Sequence, residues 1–184
     1  MKYATGSAFR QALEERIRDI HSERNIPIVR LRKEVAFERL IARLIRYQPN
    51  YWVLKGGLAL QLRLGMHART TKDVDLLSTS TFPTIYNSLA DAAKIDLMDW
   101  FSYEIERPGD IVDKKFGGNR NPVRCFFDGR IFENIYVDVG VSDIVLEPYD
   151  WLSFDPTLDF AGIQSTIVPC HPYYVLGISR QKSL

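Results

Sequence analysis

The stretch Tyr51–Leu77, YWVLKGGLALQLRLGMHARTTKDVDLL, contains the features that decide the fold of this chain. Residues 51–54 are apolar and aromatic, as in a buried strand, and Lys55-Gly56-Gly57 follows them directly. Leu58–Leu64 has the composition of a short helix, and Asp73–Leu77 alternates carboxylates with aliphatic residues. The stretch therefore predicts a strand, a glycine turn, a short helix, a basic loop and a second strand.

The predicted second strand brings two carboxylates together. Side chains at alternate positions of a strand share one face, so Asp73 and Asp75 point the same way. Neighbouring carboxylates repel each other, and a divalent cation relieves the repulsion. Oxygen ligands favour Mg²⁺ or Mn²⁺ over zinc. The pattern predicts a divalent metal site.

The glycine pair predicts a phosphate site beside that metal. Gly56 and Gly57 leave backbone N–H groups uncovered at the start of a helix, where phosphate oxygens bind well. The spacing of a Walker loop is absent. A phosphate cradle and a divalent metal together suit phosphoryl or nucleotidyl transfer, in which catalysis consists mainly of positioning and charge neutralisation.

A third carboxylate would complete such a site. Asp138, within Tyr136–Gly140 (YVDVG), is the best candidate because it lies on another predicted strand. Each part also has a simpler interpretation. The Asp-x-Asp pair could be structural, the glycines could form an ordinary turn, and Asp138 could cap the turn before Gly140.

Composition indicates one soluble domain with a core. The chain has 184 residues, of which 46% are hydrophobic. No apolar run reaches the roughly 18 residues needed to span a membrane, and the first residues lack a signal-peptide core, so we expect a cytoplasmic protein. The two cysteines, Cys125 and Cys170, are expected to be free thiols in the core.

The charges are divided unevenly along the chain. Residues 1–72 carry fifteen Lys and Arg against six Asp and Glu, a balance of +9, whereas residues 73–184 have a balance of −8. In the second predicted helix, four arginines recur on the side opposite the apolar face: Arg32, Arg39, Arg43 and Arg46. This stripe is either a solvated helix surface or a track for a nucleic-acid backbone.

Outside the central stretch, the patterns predict two helices followed by a mixed body. Residues 7–24, with Ser7 as N-cap, and residues 29–47 have helical apolar spacing. Residues 108–122 are rich in Gly, Pro and charge and predict a loop, and Asp128-Gly129 predicts a hairpin. The other predicted elements are a helix over 82–96 and strands over 100–105, 123–127, 131–139 and 163–168.

Strict alternation along residues 131–139 would place four side chains on one face: Phe132, Asn134, Tyr136 and Asp138. Some of the predicted strands must pair in antiparallel fashion, and they do not alternate regularly with helices. The fold class expected is α+β, a mixed β-sheet with flanking helices and an N-terminal helical pair.

The chain resembles a known family, the AbiEii/MenT nucleotidyltransferases, which are toxins of bacterial toxin–antitoxin systems. The resemblance rests on Val53–Leu60 (VLKGGLAL) and Arg69–Leu76 (RTTKDVDL). It extends to Ala36–Leu40 (AFERL) and to Tyr136–Gly140 (YVDVG), so it covers most of the chain. It implies the DNA polymerase beta-like nucleotidyltransferase fold.

The resemblance also implies roles for particular residues. Metal ligation and catalysis would belong to Asp73, Asp75 and Asp138, and the nucleotide would be bound by Lys55, Gly56, Gly57, Arg69 and Lys72. The cofactor would be Mg²⁺ or Mn²⁺ and the substrate an NTP, whose NMP is transferred to an RNA acceptor such as the 3′ end of tRNA. A cognate antitoxin is the expected protein partner, and no membrane is involved.

Three segments are expected: an N-terminal helical pair over 1–48, a nucleotidyltransferase core over 49–168 and a truncated C-terminal tail over 169–184. The tail lacks the lysine helix and the later Asp motif of the family, so an impaired remnant that binds nucleotide or antitoxin is one alternative to an active toxin. A non-enzymatic nucleic-acid-binding module that uses the arginine stripe is another.

Overall fold

The fold is a mixed β-sheet flanked by helices, as expected for the α+β class. The computed structural model describes residues 1–78, 84–107, 118–141 and 148–172. Within these ranges the sheet has seven strands in the order β3-β4-β5-β2-β1-β7-β6. The helices are α1 (Gly6–Arg24), α2 (Ile28–Tyr47), α3 (Gly56–Leu64) and α4 (Thr84–Ala93). The strands are β1 (Val53–Lys55), β2 (Asp73–Ser78), β3 (Phe101–Ile105), β4 (Gly118–Phe127), β5 (Arg130–Val141), β6 (Asp150–Ser153) and β7 (Ile167–Cys170).

The predicted central stretch lies in the middle of this sheet. β2 pairs in parallel with β5 and in antiparallel fashion with β1. Val74 and Leu76 of β2, with Val137 and Val139 of β5, are buried in the hydrophobic core. The residues between them therefore point to the opposite face, and this places the carboxylates of β2 and β5 outside the core.

The N-terminal helices cover the core as predicted, with small differences at their ends. The apolar face of α1 is fully buried at Phe9, Leu13 and Ile17. The N-cap of α1 is Thr5 and not Ser7, because the Thr5 hydroxyl accepts a hydrogen bond from the Ala8 N–H.

The prediction of a loop over 108–122 is wrong for its last part. β4 begins at Gly118 and pairs with β5 over its whole length, from Gly118 opposite Gly140 to Phe127 opposite Arg130. Pairing with a long neighbouring strand overrides the turn propensity of the local residues. Residues 108–117 lie outside the described part of the chain.

The C-terminal part also differs from the prediction. The last strand is Ile167–Cys170 and not 163–168, and β6 is a strand that the sequence patterns do not predict. β6 is held by antiparallel pairing with β7, which a local pattern cannot show. Most of the expected tail, residues 173–184, lies outside the described residues.

The predicted common face of β5 is also wrong at one position. The register between β4 and β5 shifts at Cys125/Phe126, where a β-bulge interrupts the alternation. Phe132 is therefore buried, whereas Tyr136 is 42% exposed and Asp138 partly exposed. Asp138 keeps the orientation that the site requires.

In the predicted arginine stripe on α2, Arg46 is exposed, but the other three arginines are wholly or partly buried. Arg43 is completely buried and Arg39 is 5% exposed, and both bind the buried carboxylate of Asp99. Arg32 pairs with Glu14 and lies over the Phe132 ring at 4.3 Å. These guanidinium groups hold helices to one another and to the sheet, and this removes the basis for a nucleic-acid track along α2.

The cysteines and the apolar character of the helices can also be compared with the predictions. Cys125 and Cys170 are both free and buried, as predicted. Among the described helices, none combines the length and the apolar character that crossing a membrane requires.

Candidate active site

A row of charged side chains crosses four adjacent strands on the face opposite the core. The strand register places Lys55 of β1 opposite Asp75 of β2, Asp75 opposite Asp138 of β5, and Asp138 opposite Arg120 of β4. Asp73 lies two residues before Asp75 on the same side of β2. Three carboxylates thus meet between two basic residues.

The glycine turn lies directly against one of these carboxylates. Gly56 starts α3 with φ of +65°, a conformation that favours glycine. A Cβ atom at this position would lie 2.1 Å from Asp75 Oδ2. The backbone N–H of Gly57 donates a hydrogen bond to the same carboxylate. The position of Asp75 therefore depends on a glycine at residue 56, and the hydrogen bond from Gly57 fixes the turn to Asp75.

Arg120 lies between the other two carboxylates. Its Nη2 atom is 2.9 Å from Asp73 Oδ1, and its Nη1 atom is 3.6 Å from Asp138 Oδ2. Its guanidinium carbon is 4.3 Å from the centre of the Tyr136 ring. The positive charge of Arg120 thus partly offsets two acids while its flat face stacks on an aromatic ring.

The surroundings of the site raise the pKa of two of its acids. Burial raises the pKa of Asp75, and the neighbouring charge of Asp73 adds to the effect. Burial also raises the pKa of Asp138, with further contributions from Asp73 and Asp75 that Arg120 and Lys55 partly offset. These shifts are those expected of carboxylates held close together without enough positive charge.

A chain of polar contacts supports the segment that precedes β2. Arg30 of α2 bonds Glu34 at 2.9 Å and donates to the carbonyl of Gly65 at 3.0 Å. Gln61 of α3 also donates to Glu34. The Thr71 hydroxyl then donates to the Asp73 carbonyl at 3.0 Å. These contacts fix the basic loop relative to the two helices.

An open cleft of about 490 Å³ lies between the glycine turn and this basic loop. Arg69 and His67 are exposed along it, and Leu60 and Leu64 supply apolar surface. The cleft offers cationic and apolar surface next to the N-terminus of α3. Such a combination suits a nucleotide, which has a charged phosphate end and an apolar base.

The carboxylates have the chemistry that a divalent cation needs. Within the described ranges, no group of three or more His, Cys, Asp or Glu side chains is already arranged around a metal position. In the same ranges, the buried Oδ1 atom of Asp138 accepts no hydrogen bond, and the buried Oδ1 atom of Asp73 has the ion-pair contact with Arg120. Carboxylate oxygens placed in this way on one face fit Mg²⁺ or Mn²⁺.

The structure brings most of the sequence-predicted site residues together: Lys55, Gly56, Gly57, Asp73, Asp75 and Asp138. Arg69 reaches the cleft, and Lys72 is exposed just before β2. The Gly57 N–H binds Asp75, so its role in phosphate binding stays a prediction. Arg120 and Tyr136 also lie in the site, and of these two the sequence pattern indicates only Tyr136, on the face of Asp138.

One signal could have placed Arg120 in the site. The Asp128-Gly129 turn fixes which residues of β4 and β5 face each other, and counting back from it through one bulge puts Arg120 opposite Asp138. The count fails without knowledge of the bulge, because a shift of one residue turns every side chain to the other face.

The family of the chain follows from its sequence and agrees with this geometry. The model of a family described as nucleotidyl transferase AbiEii toxin, type IV toxin–antitoxin system, matches residues 39–175. The chain belongs to the AbiEii nucleotidyltransferase toxin family. The segment matched by the AbiEii model contains the glycine turn and all three carboxylates. A search of curated proteins finds no relative of the chain.

One of three similar solved structures, that of MenT4, supports the fold of this AbiEii protein. MenT4, a nucleotidyltransferase toxin from Mycobacterium tuberculosis H37Rv, superposes with a TM-score of 0.63 at 18% identity, over 87% of this chain and 55% of MenT4. JHP933 from Helicobacter pylori gives 0.46 at 15% identity, over 78% of this chain and 54% of its own. A third structure, described as a putative nucleotidyltransferase from H. pylori, gives 0.37 at 19%, over 60% and 45%. The chain thus spans about half the length of each of these structures.

Proposed function

We propose that this protein is the Mg²⁺-dependent toxin of a toxin–antitoxin system, and that it transfers NMP from an NTP to a hydroxyl group of an RNA acceptor. The 3′ end of tRNA is the acceptor we put forward, and the cytoplasm, where NTP and tRNA occur together, is the compartment. A cognate antitoxin is the proposed protein partner. Membership of the AbiEii family supports the toxin and nucleotidyltransferase parts of this proposal.

One observation carries the proposed reaction. The register of β1, β2 and β5 aligns Lys55, Asp75 and Asp138 in one row, and Gly56 holds the start of α3 against Asp75. The N-terminus of a helix, which attracts phosphate, therefore adjoins a cluster of carboxylates, which attracts a divalent cation. Nucleotidyl transfer needs these two features side by side.

The residues of the site divide the work as follows. Lys55 and Arg69 would neutralise the triphosphate, which would lie along the cleft beside Gly56. Asp73, Asp75 and Asp138 would hold Mg²⁺, which, when bound, neutralises charge on the phosphates and on the attacking oxygen. The acceptor hydroxyl would lose its proton to Asp138 as its oxygen bonds the α-phosphorus. The bond from that phosphorus to pyrophosphate would break, and pyrophosphate would leave.

The position of Asp138 is suited to that role. Burial and the nearby Asp73 and Asp75 raise the pKa of its carboxyl, and a bound cation would offset the charges of those two neighbours. Its Oδ1 atom accepts no hydrogen bond within the described ranges. The position on β5, next to Asp75 of β2, brings it beside the proposed metal ligands.

The proposal predicts the effect of Asp73→Asn. Loss of one anionic ligand should reduce transfer of labelled NMP to total tRNA by roughly 100-fold or more, since the metal would be held less well. The assay uses each of the four labelled NTPs with Mg²⁺, and thermal melting confirms that the variant is folded. Asp91→Asn, on the exposed surface of α4, is the matched control and should keep parental activity.

An Asp73→Asn variant as active as the parent would contradict the proposed metal site. Binding of NTP by the parent without any labelling of RNA would instead favour the second candidate, a protein that binds nucleotide or antitoxin without turnover. The structural basis for that candidate is the same cleft beside Gly56 and Arg69.

A further inference from the structure

The side chain of Arg120 has three partners of two kinds, two carboxylates and an aromatic ring. Its two terminal nitrogens face separate carboxylates, Asp73 at 2.9 Å and Asp138 at 3.6 Å, and its plane covers the Tyr136 ring at 4.3 Å. A guanidinium can make all three contacts at once because it is flat and has a nitrogen at each end. Arg120 thus joins the two proposed metal ligands that lie on different strands.

We propose that Arg120 is a positioning residue that competes with the divalent cation for Asp73 and Asp138, and that Tyr136 holds it in the competing position. This inference rests on the proposed function, since it concerns the same metal. The oxygens that a cation would use are those Arg120 faces or lies next to. Two positive groups cannot share that space at little energetic cost, so one must leave as the other binds.

The surroundings of Arg120 allow it to leave. Its side chain is 51% exposed, so it can turn into solvent without opening the core. Its contacts with the carboxylates are those of a partly exposed ion pair, in which solvent reaches the guanidinium and weakens the attraction. Tyr136 is 42% exposed, and its ring would become accessible when the guanidinium moves away.

The competition has a consequence for metal affinity. Each contact that Arg120 makes with Asp73 or Asp138 must be broken before the cation binds, so Arg120 weakens metal binding by the free energy of those contacts. The protein would then bind its metal well only when another ligand, such as the triphosphate, adds its own oxygens. Arg120 would thereby couple metal binding to nucleotide binding.

The test measures Mn²⁺ binding, without nucleotide, by titration at constant ionic strength. We expect Arg120→Gln to bind Mn²⁺ roughly three- to tenfold more tightly than the parent, as loss of a competing exposed ion pair predicts. Arg120→Lys keeps the charge but cannot span both acids, so its affinity should lie between the two. Tyr136→Leu keeps Arg120 and removes its stacking partner, and it should bind Mn²⁺ about twofold more tightly.

Arg124→Gln is the matched control. Arg124 lies on the same strand as Arg120, is 46% exposed and pairs with two acids, Glu104 and Glu106. Arg124→Gln therefore removes the same charge as Arg120→Gln and breaks similar ion pairs, but outside the site. We expect its Mn²⁺ affinity to equal that of the parent, because an exposed charge outside the site is largely screened.

The outcomes separate this inference from the proposed function. Mn²⁺ binding that requires Asp73 but is no tighter in Arg120→Gln than in Arg124→Gln would overturn the inference alone. Mn²⁺ binding that is absent from the parent and from Arg120→Gln alike, or that is unaffected by Asp73→Asn, would overturn both the metal site and the inference. If Arg120→Gln does not fold, Arg120→Lys and Tyr136→Leu decide, because both must bind Mn²⁺ more tightly than the parent.

Discussion

Gly56 is the residue on which the geometry of the carboxylates depends most directly. Two separate constraints exclude a side chain there: the backbone has φ of +65°, and a Cβ atom would lie 2.1 Å from Asp75 Oδ2. Gly65, at the other end of α3, has φ of +54° but open space around it. The two glycines thus share the backbone constraint and differ in the steric one.

We therefore expect Gly56→Ala and Gly65→Ala to have different effects on catalysis. Each should lose about 1 kcal/mol of unfolding free energy from its positive φ, and Gly56→Ala should lose more because Asp75 must move. Displacement of Asp75 should lower NMP transfer roughly 100-fold, as a shift of a catalytic group by about 1 Å does. Urea unfolding and the tRNA-labelling assay measure the two effects.

The comparison between the two variants decides whether the steric contact matters. If Gly56→Ala retains the transfer rate of Gly65→Ala, the close approach of Asp75 to the turn has no catalytic role. If Gly56→Ala labels tRNA slowly but has the same unfolding free energy as Gly65→Ala, the loss of activity is due to displacement of Asp75 alone.

At the level of elements, the attachment of α2 to β3 depends on one buried carboxylate. Asp99, which is 1% exposed, accepts hydrogen bonds from Arg43 at 2.6 Å and from Arg39 at 2.7 Å. Burial alone would raise the pKa of Asp99, but the hydrogen bonds and charges of Arg43 and Arg39 outweigh burial and lower it. The ionised form of Asp99 therefore stabilises the fold.

The sign of the pH dependence follows from that shift. Since the pKa of Asp99 is lower in the folded than in the unfolded protein, its contribution is fully present above its ordinary pKa of 3.8 and disappears as the pH falls through the folded value. At pH 7, Asp99→Asn should cost about 3 kcal/mol of unfolding free energy, because it leaves two buried guanidinium groups without an anion. The difference from the parent should shrink in urea titrations below pH 3.8.

Asp91→Asn serves as the control for this variant as well, since Asp91 pairs with Lys94 on the exposed surface of α4. Its melting temperature should equal that of the parent. An Asp99→Asn protein as stable as the parent at pH 7 would show that the buried arginines find other partners, and that Asp99 does not fix α2 to β3.

The same elements show which parts of the fold a single sequence can predict. β2 and the glycine turn were predicted because their signals, alternating carboxylates and a Lys-Gly-Gly run, are local. The burial of Arg43 was not, because its partner Asp99 is 56 residues away. The first half of β4, which contains Arg120, was not predicted for a similar reason. It is a strand because it pairs with β5, and the register of that pairing includes a bulge.

For the whole molecule, ion pairs within the fold reduce the charge asymmetry of the sequence. Much of the basic excess in residues 1–72 is used internally, since Arg30, Arg32, Arg39, Arg43 and Arg63 all pair with acids. Among residues 1–72, five exposed Lys and Arg side chains form no ion pair within the described ranges: Lys2, Arg18 on α1, Arg46 on α2, and Arg69 and Lys72 in the basic loop. Arg69 and Lys72 lie near each other beside the cleft, so the loop, and not α2, is where a polyanion should bind.

This distribution predicts how the protein binds the proposed tRNA in the absence of NTP. Lys72→Gln should weaken tRNA binding at every tRNA sequence and should lower the slope of log K against log salt by about 1, because one phosphate contact is lost. Arg46→Gln removes the same charge from α2 and should leave both affinity and slope unchanged. Filter binding over a range of salt concentrations measures both quantities. Equal losses in the two variants would mean that tRNA also follows α2, and a loss in Arg46→Gln alone would move the polyanion site away from the carboxylates altogether.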